Sequence, residues 1–269
     1  MVFYKISYLS GMIHNIIKDR PTKLFIMLAG FFIANALVSE MIGVKIFSLE
    51  DTLGIPKANF SLFGVKDLSF SLTVGVIPWP VIFVLTDIVN EYYGVKGVRF
   101  LSFLTVALIS FAFLVFYFAL HAKPDTAFWI GSYASQGVPD MQLAFNAIFG
   151  QGMNIIIGSL SAFVLGQIID AMVFRKIKKF TGEKYIWARS TVSTLVSQFI
   201  DSVVVTYIAF TVFRGVPLGR SMAWAFTSYG YKFLIALLFT PVVYAIHWGC
   251  EKYLGKDTAR EMKEQAMNG

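Results

Sequence analysis

Residues 100–120 read FLSFLTVALISFAFLVFYFAL, an apolar run without one charged side chain. A bilayer-spanning helix needs about 20 such residues, and a run this long has no counterpart in a soluble strand or loop. Five further stretches of comparable character flank it. The six apolar segments are 24–46, 68–90, 98–121, 145–174, 190–213 and 223–249. Composition agrees: of 269 residues, 57% are hydrophobic, 16% aromatic and 14% charged, with a mean hydropathy of +0.66. Soluble domains carry about a quarter charged residues. Cys250 is the single cysteine, which excludes a disulfide scaffold. The expected fold is therefore all-α: a polytopic membrane protein with six transmembrane helices in one bundle. A β-barrel is excluded on the length of the apolar runs and an absence of period-two alternation. The expected layout is an N-terminal arm over 1–23, a membrane domain over 24–250 and a charged, solvated tail over 251–269, with short loops between spans.

The net charge of +7 is explained by where the charges sit. Sixteen Lys and Arg fall in the N-terminal arm, the second-to-third connection, the fourth-to-fifth connection (175–189) and the tail. Five fall on the opposite side, and Lys45 and Lys232 lie within spans. This asymmetry places both termini in the cytoplasm, and an even number of spans agrees. No cleavable signal is expected, and residues 1–20 suggest a short interfacial helix. The bilayer, not a nucleic acid, is the partner that the charge implies.

Polar side chains within spans are costly and mark function. They are Asn35, Glu40 and Lys45 in the first span; Asp87 and Glu91 in the second; Asn154, Gln167 and Asp170 in the fourth; Gln198 and Asp201 in the fifth; and Lys232 in the sixth. Asp87 and Glu91 share a helix face, as do Gln167 and Asp170. Thr194, Gln198 and Asp201 form one stripe. Gln167-Ile168-Ile169-Asp170 is echoed by Gln198-Phe199-Ile200-Asp201, the pattern of two antiparallel neighbours presenting matched polar pairs. The third span carries no charge and is expected at the lipid-facing periphery. Pro78 and Pro80 are expected to break the second span near its middle, as interrupted helices do at transporter sites. Trp79 and Phe83 offer stacking faces to a planar ligand. Lys232 needs an anionic partner, and Asp201, at comparable depth in the antiparallel fifth span, is the candidate.

No P-loop, nucleophile–base pattern or metal-ligand spacing is present; His14, His121 and His247 are scattered. The chain is not expected to be an enzyme, and neither metal nor cofactor is implied.

The segment Phe83-Val84-Leu85-Thr86-Asp87-Ile88-Val89-Asn90-Glu91-Tyr92-Tyr93-Gly94 resembles a motif of the queuosine precursor transporter family, also called the vitamin uptake transporter family. Ser161-Ala162-Phe163 followed by Gly166-Gln167-Ile168-Ile169-Asp170 is similar to its fourth-span motif. Trp187-Ala188-Arg189 with Ser193, Thr194, Gln198 and Asp201 resembles the fifth, Tyr231-Lys232 with Pro241 and Tyr244 the sixth, and Asn35 the first-span asparagine. The family pattern commonly has an arginine where Asn154 stands here.

The resemblance implies import of 7-deazaguanine bases: 7-cyano-7-deazaguanine, 7-aminomethyl-7-deazaguanine or queuine. It also implies a six-helix arrangement similar to substrate-binding subunits of energy-coupling-factor vitamin transporters, in the bacterial inner membrane. A carboxylate accepts ring N–H donors, an amide or ammonium donates to the ring carbonyl, and aromatic faces stack. The candidate substrate-binding residues are Asn35, Trp79, Phe83, Asp87, Asn154, Gln167, Asp170, Gln198, Asp201 and Lys232. The alternative is a binding subunit that requires separate ATPase partners; a membrane-embedded enzyme or a structural protein is the third reading. A homodimer is left open.

Overall fold

The computed structural model describes residues 18–182 and 185–268, without the side chains of 151–155, 157, 186, 187 and 268. The N-terminal arm's expected interfacial helix falls almost wholly outside the described residues. α1 spans Arg20–Ile42 and is capped by Asp19, whose carboxylate accepts the Thr22 N–H at 2.9 Å. At 1.5 Å per residue it is about 35 Å long, enough to cross a bilayer.

Between α1 and the next long helix the chain forms a small cap rather than a short loop. It contains β1 (Ile46–Ser48), α2 (Leu49–Leu53), β2 (Phe60–Leu62), β3 (Val65–Leu68) and β4 (Ser71–Thr73). β1 pairs antiparallel with β4, and β2 with β3. The second span was expected to start at residue 68, and the structure corrects this. Leu68, Phe70, Leu72 and Val74 alternate with Ser69, Ser71 and Thr73, which is the period of a strand. The buried Glu50 carboxylate anchors the cap by accepting the Phe70 N–H at 2.8 Å.

After a 3-10 turn over Val74–Val76, α3 runs Trp79–His121. Pro78 and Pro80 therefore do not break a span in its middle. They sit at the helix N-terminus, where a missing N–H costs nothing. Gly75 lies so close to α1 that a Cβ there would come within 2.7 Å of the Ser39 carbonyl. The Ser39 hydroxyl donates to the Gly75 carbonyl at 2.5 Å.

α3 doubles back at Gly94, where φ is 68° and ψ is −175°. The remaining helices show the reversal. α4 is Met141–Thr181, α5 Ile186–Thr206 (continued by a π-helical turn, Tyr207–Val212), α6 Leu218–Leu238, α7 Thr240–Leu254 and α8 Lys256–Asn268. Trp79 touches Phe163, Thr86 bonds to Gln167 and Glu91 to Lys178, so the first arm of α3 runs parallel to α4. Phe116 then stacks near Phe149, at the opposite end of α4. The second arm has thus returned the length of the bundle. Its outer face, including Phe103, Phe111 and Phe118, is exposed.

α5 runs antiparallel to α4. Gly158 lies against Ile208, Gly166 against Asp201, and Asp170 against Ser197. α6 runs antiparallel to α5, with Lys232 on Asp201 and Ser221 on Thr211. By length and apolar composition, Arg20–Ile42, Val74–His121 and Ala188–Val212 suffice to cross a membrane, and α6 with α7, bent by 48°, add a fourth among the described residues.

The tail, expected to be solvated, folds into α8 and packs on α3. Ala259 and Met262 are buried, and Lys263 bonds to Glu251 at 2.6 Å. The fourth-to-fifth connection, expected to be a basic loop over 175–189, is reduced to a few residues between α4 and α5.

Gly94 is the hinge of this arrangement. Its backbone conformation is essentially restricted to glycine, and a Cβ would lie 3.0 Å from the Ala266 carbonyl. Gly94→Ala is expected to destabilise the protein by about 1–3 kcal/mol and to release α8. Thermal unfolding and limited proteolysis of the tail in detergent measure both. An unchanged midpoint with a protected tail would contradict the hinge role.

Candidate functional site

The bundle's deepest charges lie where α3, α4 and α5 meet. Glu91 and Arg189 are both completely buried and pair at 2.8 Å. Lys178 reaches the other Glu91 oxygen at 3.0 Å. Arg189 also donates to the Gly182 carbonyl at 2.7 Å and lies over the Phe174 ring. Counting Lys178 and Arg189 as loop charges is therefore corrected: α4 and α5 extend further than their apolar runs and carry these cations inward. Removing one partner of such a pair leaves an uncompensated buried charge.

One turn above Glu91 lie two aspartates. Asp87 is 1% exposed and Asp170 is 3% exposed. Thr86 bonds to Gln167 at 2.9 Å, and the Asn90 amide donates to the Ala171 carbonyl at 3.2 Å. These two cross-links hold the first arm of α3 against α4 on either side of the aspartates. Asp87 Oδ2 accepts from the Ser190 hydroxyl, and Asp170 Oδ1 accepts from Ser197 at 3.1 Å. Asp87 Oδ1 and Asp170 Oδ2 are buried without a hydrogen-bond partner.

Next along α5, Asp201 pairs with Lys232 of α6 at 2.6 Å, both groups being 8% exposed. This is the pairing expected from the antiparallel depths of the two residues. Gln198 is buried, with an unpartnered Oε1. The two Gln-x-x-Asp motifs therefore face each other across antiparallel helices, Asp170 against Ser197 and Gly166 against Asp201.

Trp79 and Phe83 stack with centroids 5.7 Å apart and an interplanar angle of 23°. Phe83, Asp87, Ser190, Thr194, Phe239 and Val243 are among the residues that line a cavity of about 20 Å³. That holds about one water. A larger cleft, about 580 Å³, lies elsewhere, between Gly94, Asp19, Lys96 and α8, and does not touch Asp87, Asp170 or Asp201.

Of the expected site residues, Asn35 does not join this seam. Asn35 donates to the Phe31 carbonyl of its own helix at 2.8 Å and is thereby satisfied locally. The side chain of Asn154 falls outside the described residues. Glu40, also within a span, accepts from Ser159 at 2.5 Å. Ser190 and Ser197, the partners of the aspartates, are not among the expected site residues. The spacing carries the signal: Ser190 lies one turn before Thr194, and Ser197 lies one turn before Asp201 on the same stripe.

Apolar helices enclosing a continuous seam of buried carboxylates, hydroxyls and amides define a polytopic membrane transporter. Residues 73–246 match the family model described as putative vitamin uptake transporter, and the chain belongs to that family. It is 29% identical to the probable queuosine precursor transporter of Bacillus subtilis (strain 168) over 67% of this chain and 74% of that one. It is 28% identical to the queuosine precursor transporter of Escherichia coli (strain K12) over 74% of this chain and 83% of that one. The probable queuosine precursor transporter of Haemophilus influenzae is 26% identical over 67% and 71%, respectively. No solved structure matches.

The buried ion pair gives a direct test. Glu91→Gln is expected to cost about 3–5 kcal/mol, because Arg189 and Lys178 lose the carboxylate they share. Adding Arg189→Met should recover part of the loss. Thermal unfolding of the three proteins in detergent measures this; a single variant as stable as the wild type would show that the pair does not hold the helices.

Proposed function

We propose that this protein imports queuosine precursors across the bacterial cytoplasmic membrane, acting alone, through six crossings with both termini in the cytoplasm. The carrying observation is Asp87: a buried carboxylate with one unpartnered oxygen, lining a cavity that also receives Phe83, in a chain similar to relatives named for queuosine precursors. The expected substrate is 7-cyano-7-deazaguanine, 7-aminomethyl-7-deazaguanine or queuine. In this reading Asp87 accepts N–H donors from the pyrimidine edge, as acidic side chains accept from base edges. Trp79 and Phe83 stack on the ring, worth about 1–3 kcal/mol per base. Gln198 and the Asp201–Lys232 pair complete the polar wall, with Gln167 and Asp170 behind Asp87. Nothing in this scheme requires bond chemistry.

The six-crossing count follows from treating the two arms of α3 as separate crossings and α6 with α7 as one. The basic residues at the α4–α5 end support a cytoplasmic placement of that end. Phe180 is exposed there. A cysteine replacing Phe180 should react with impermeant reagents only after the membrane is opened; labelling in intact cells would invert the topology.

The alternative, a subunit driven by separate ATPases, draws on one observation: Gly30 and Ala34, four apart on α1, are exposed and present small residues to a neighbour. Purified protein alone in liposomes separates the two, since a subunit that needs partners will not move the base.

The principal experiment is uptake of labelled 7-deazaguanine bases by cells unable to make them. Expression of this chain should restore uptake, and Asp87→Asn should reduce it by at least tenfold; absence of uptake with verified membrane expression would contradict the assignment. The Asp201→Lys, Lys232→Asp double exchange should fold yet fail to transport. Recovered uptake would reassign that pair to a structural bridge.

A further inference from the structure

We propose that Asp87 and Asp170 share one proton, and that this proton crosses the membrane with each base. The proposal rests on Asp87 being the acceptor of the base. It begins from adjacency: the Thr86–Gln167 and Asn90–Ala171 bonds fix α3 and α4 together one turn apart, with Asp87 and Asp170 between them. Each carboxyl has one oxygen on a serine hydroxyl and one without a partner. A single proton placed between Asp87 Oδ1 and Asp170 Oδ2 gives one orphan oxygen a donor and the other an acceptor.

Charge points the same way. Two ionised carboxylates side by side in a low-dielectric core repel, and one proton relieves the pair. The surrounding ionisable groups do not supply a substitute. On α3 the neighbour is Glu91, itself anionic. On α5 it is Arg189, on α4 Lys178, and both cations are engaged with Glu91. Lys232 of α6 is engaged with Asp201. α6 and α7 present Ile235, Ala236, Phe239 and Val243 to the cavity at Asp87, and His247 of α7 faces the Tyr92 ring instead. Glu40 of α1 is bonded to Ser159. Among the described residues no nitrogen cation pairs with Asp87 or Asp170.

The consequence is co-transport. A neutral base engages Asp87 through its N–H groups only while Asp87 is a carboxylate. Asp170 then holds the proton, taken from the outer water, and gives it up to the inner water after the base leaves. Base and proton move in the same direction, one for one. Ser190 and Ser197 of α5 each donate to one carboxyl and orient it.

Two measurements on the full-length protein test this. In substrate-free wild type, infrared spectra should contain the C=O stretch of a buried protonated carboxyl, sensitive to deuteration and lost in Asp170→Asn. In liposomes loaded with alkaline buffer, uptake of labelled 7-cyano-7-deazaguanine should exceed equilibration by up to about tenfold per pH unit. It should fall to simple equilibration with a protonophore and be unchanged when sodium is replaced by choline. The uptake readout needs wild type alone, so a variant that fails to fold does not remove the test. Absence of the carboxyl band, uptake indifferent to the pH gradient, or accumulation that requires sodium would each overturn the proposal. A band present without uptake of any 7-deazaguanine base would keep the proton site and overturn the substrate assignment instead.

Discussion

Burying charge in a medium that cannot solvate it is the constraint on which this structure depends. Glu91, Arg189 and Lys178 are carried to the centre of the helix junction because each has a counter-charge there. An ionised carboxylate or guanidinium left alone at that depth would cost several kcal/mol. The pairing in turn fixes three helices at one level: the end of the first arm of α3, the end of α4 and the start of α5. Everything above that level inherits its register, including the two aspartates and the serines that meet them. The hinge at Gly94 follows directly after, and only a residue without a Cβ reverses the chain there against α8.

The seam above the ion cluster is built differently. Asp87 and Asp170 meet serine hydroxyls rather than cations. Groups held in that way change partners at lower cost than a welded ion pair, which suits a wall that must part to admit a flat ligand. The contrast between a rigid charged end and a loosely satisfied polar centre is the physical basis for placing substrate at Asp87 and not at Glu91. The cavity beside Asp87 is about 20 Å³.

Much of this was legible in the sequence. Long apolar runs announce membrane helices because lipid leaves the backbone few options, and polar residues in those runs stand out against them. The depth argument that joined Lys232 to Asp201 needed only antiparallel neighbours, and the echo of Gln-x-x-Asp on α4 and α5 was visible as spacing. Other features were not read correctly, for definable reasons. Arg189 and Lys178 were counted as loop charges because hydropathy does not register where a helix continues past its apolar run. The stretch 68–78 was taken for membrane on hydropathy, although its alternation of Leu68, Phe70 and Leu72 with serines and threonine carried the period of a strand. The tail reads as solvated because nearly half of α8 is charged, and only its inward face, Ala259 and Met262, reveals the packing. Asn35 bonds to its own helix, a local satisfaction that spacing alone does not distinguish from a ligand contact.

The most direct measurement of the central claim is a structure with 7-cyano-7-deazaguanine bound. The base is expected between α3, α5 and α6–α7, with ring N–H groups on Asp87, Trp79 or Phe83 against its face, and the helices parted to admit it. A base seated in the cleft beneath α8, or bound with Asp87 still closed on Ser190 and out of reach, would contradict it.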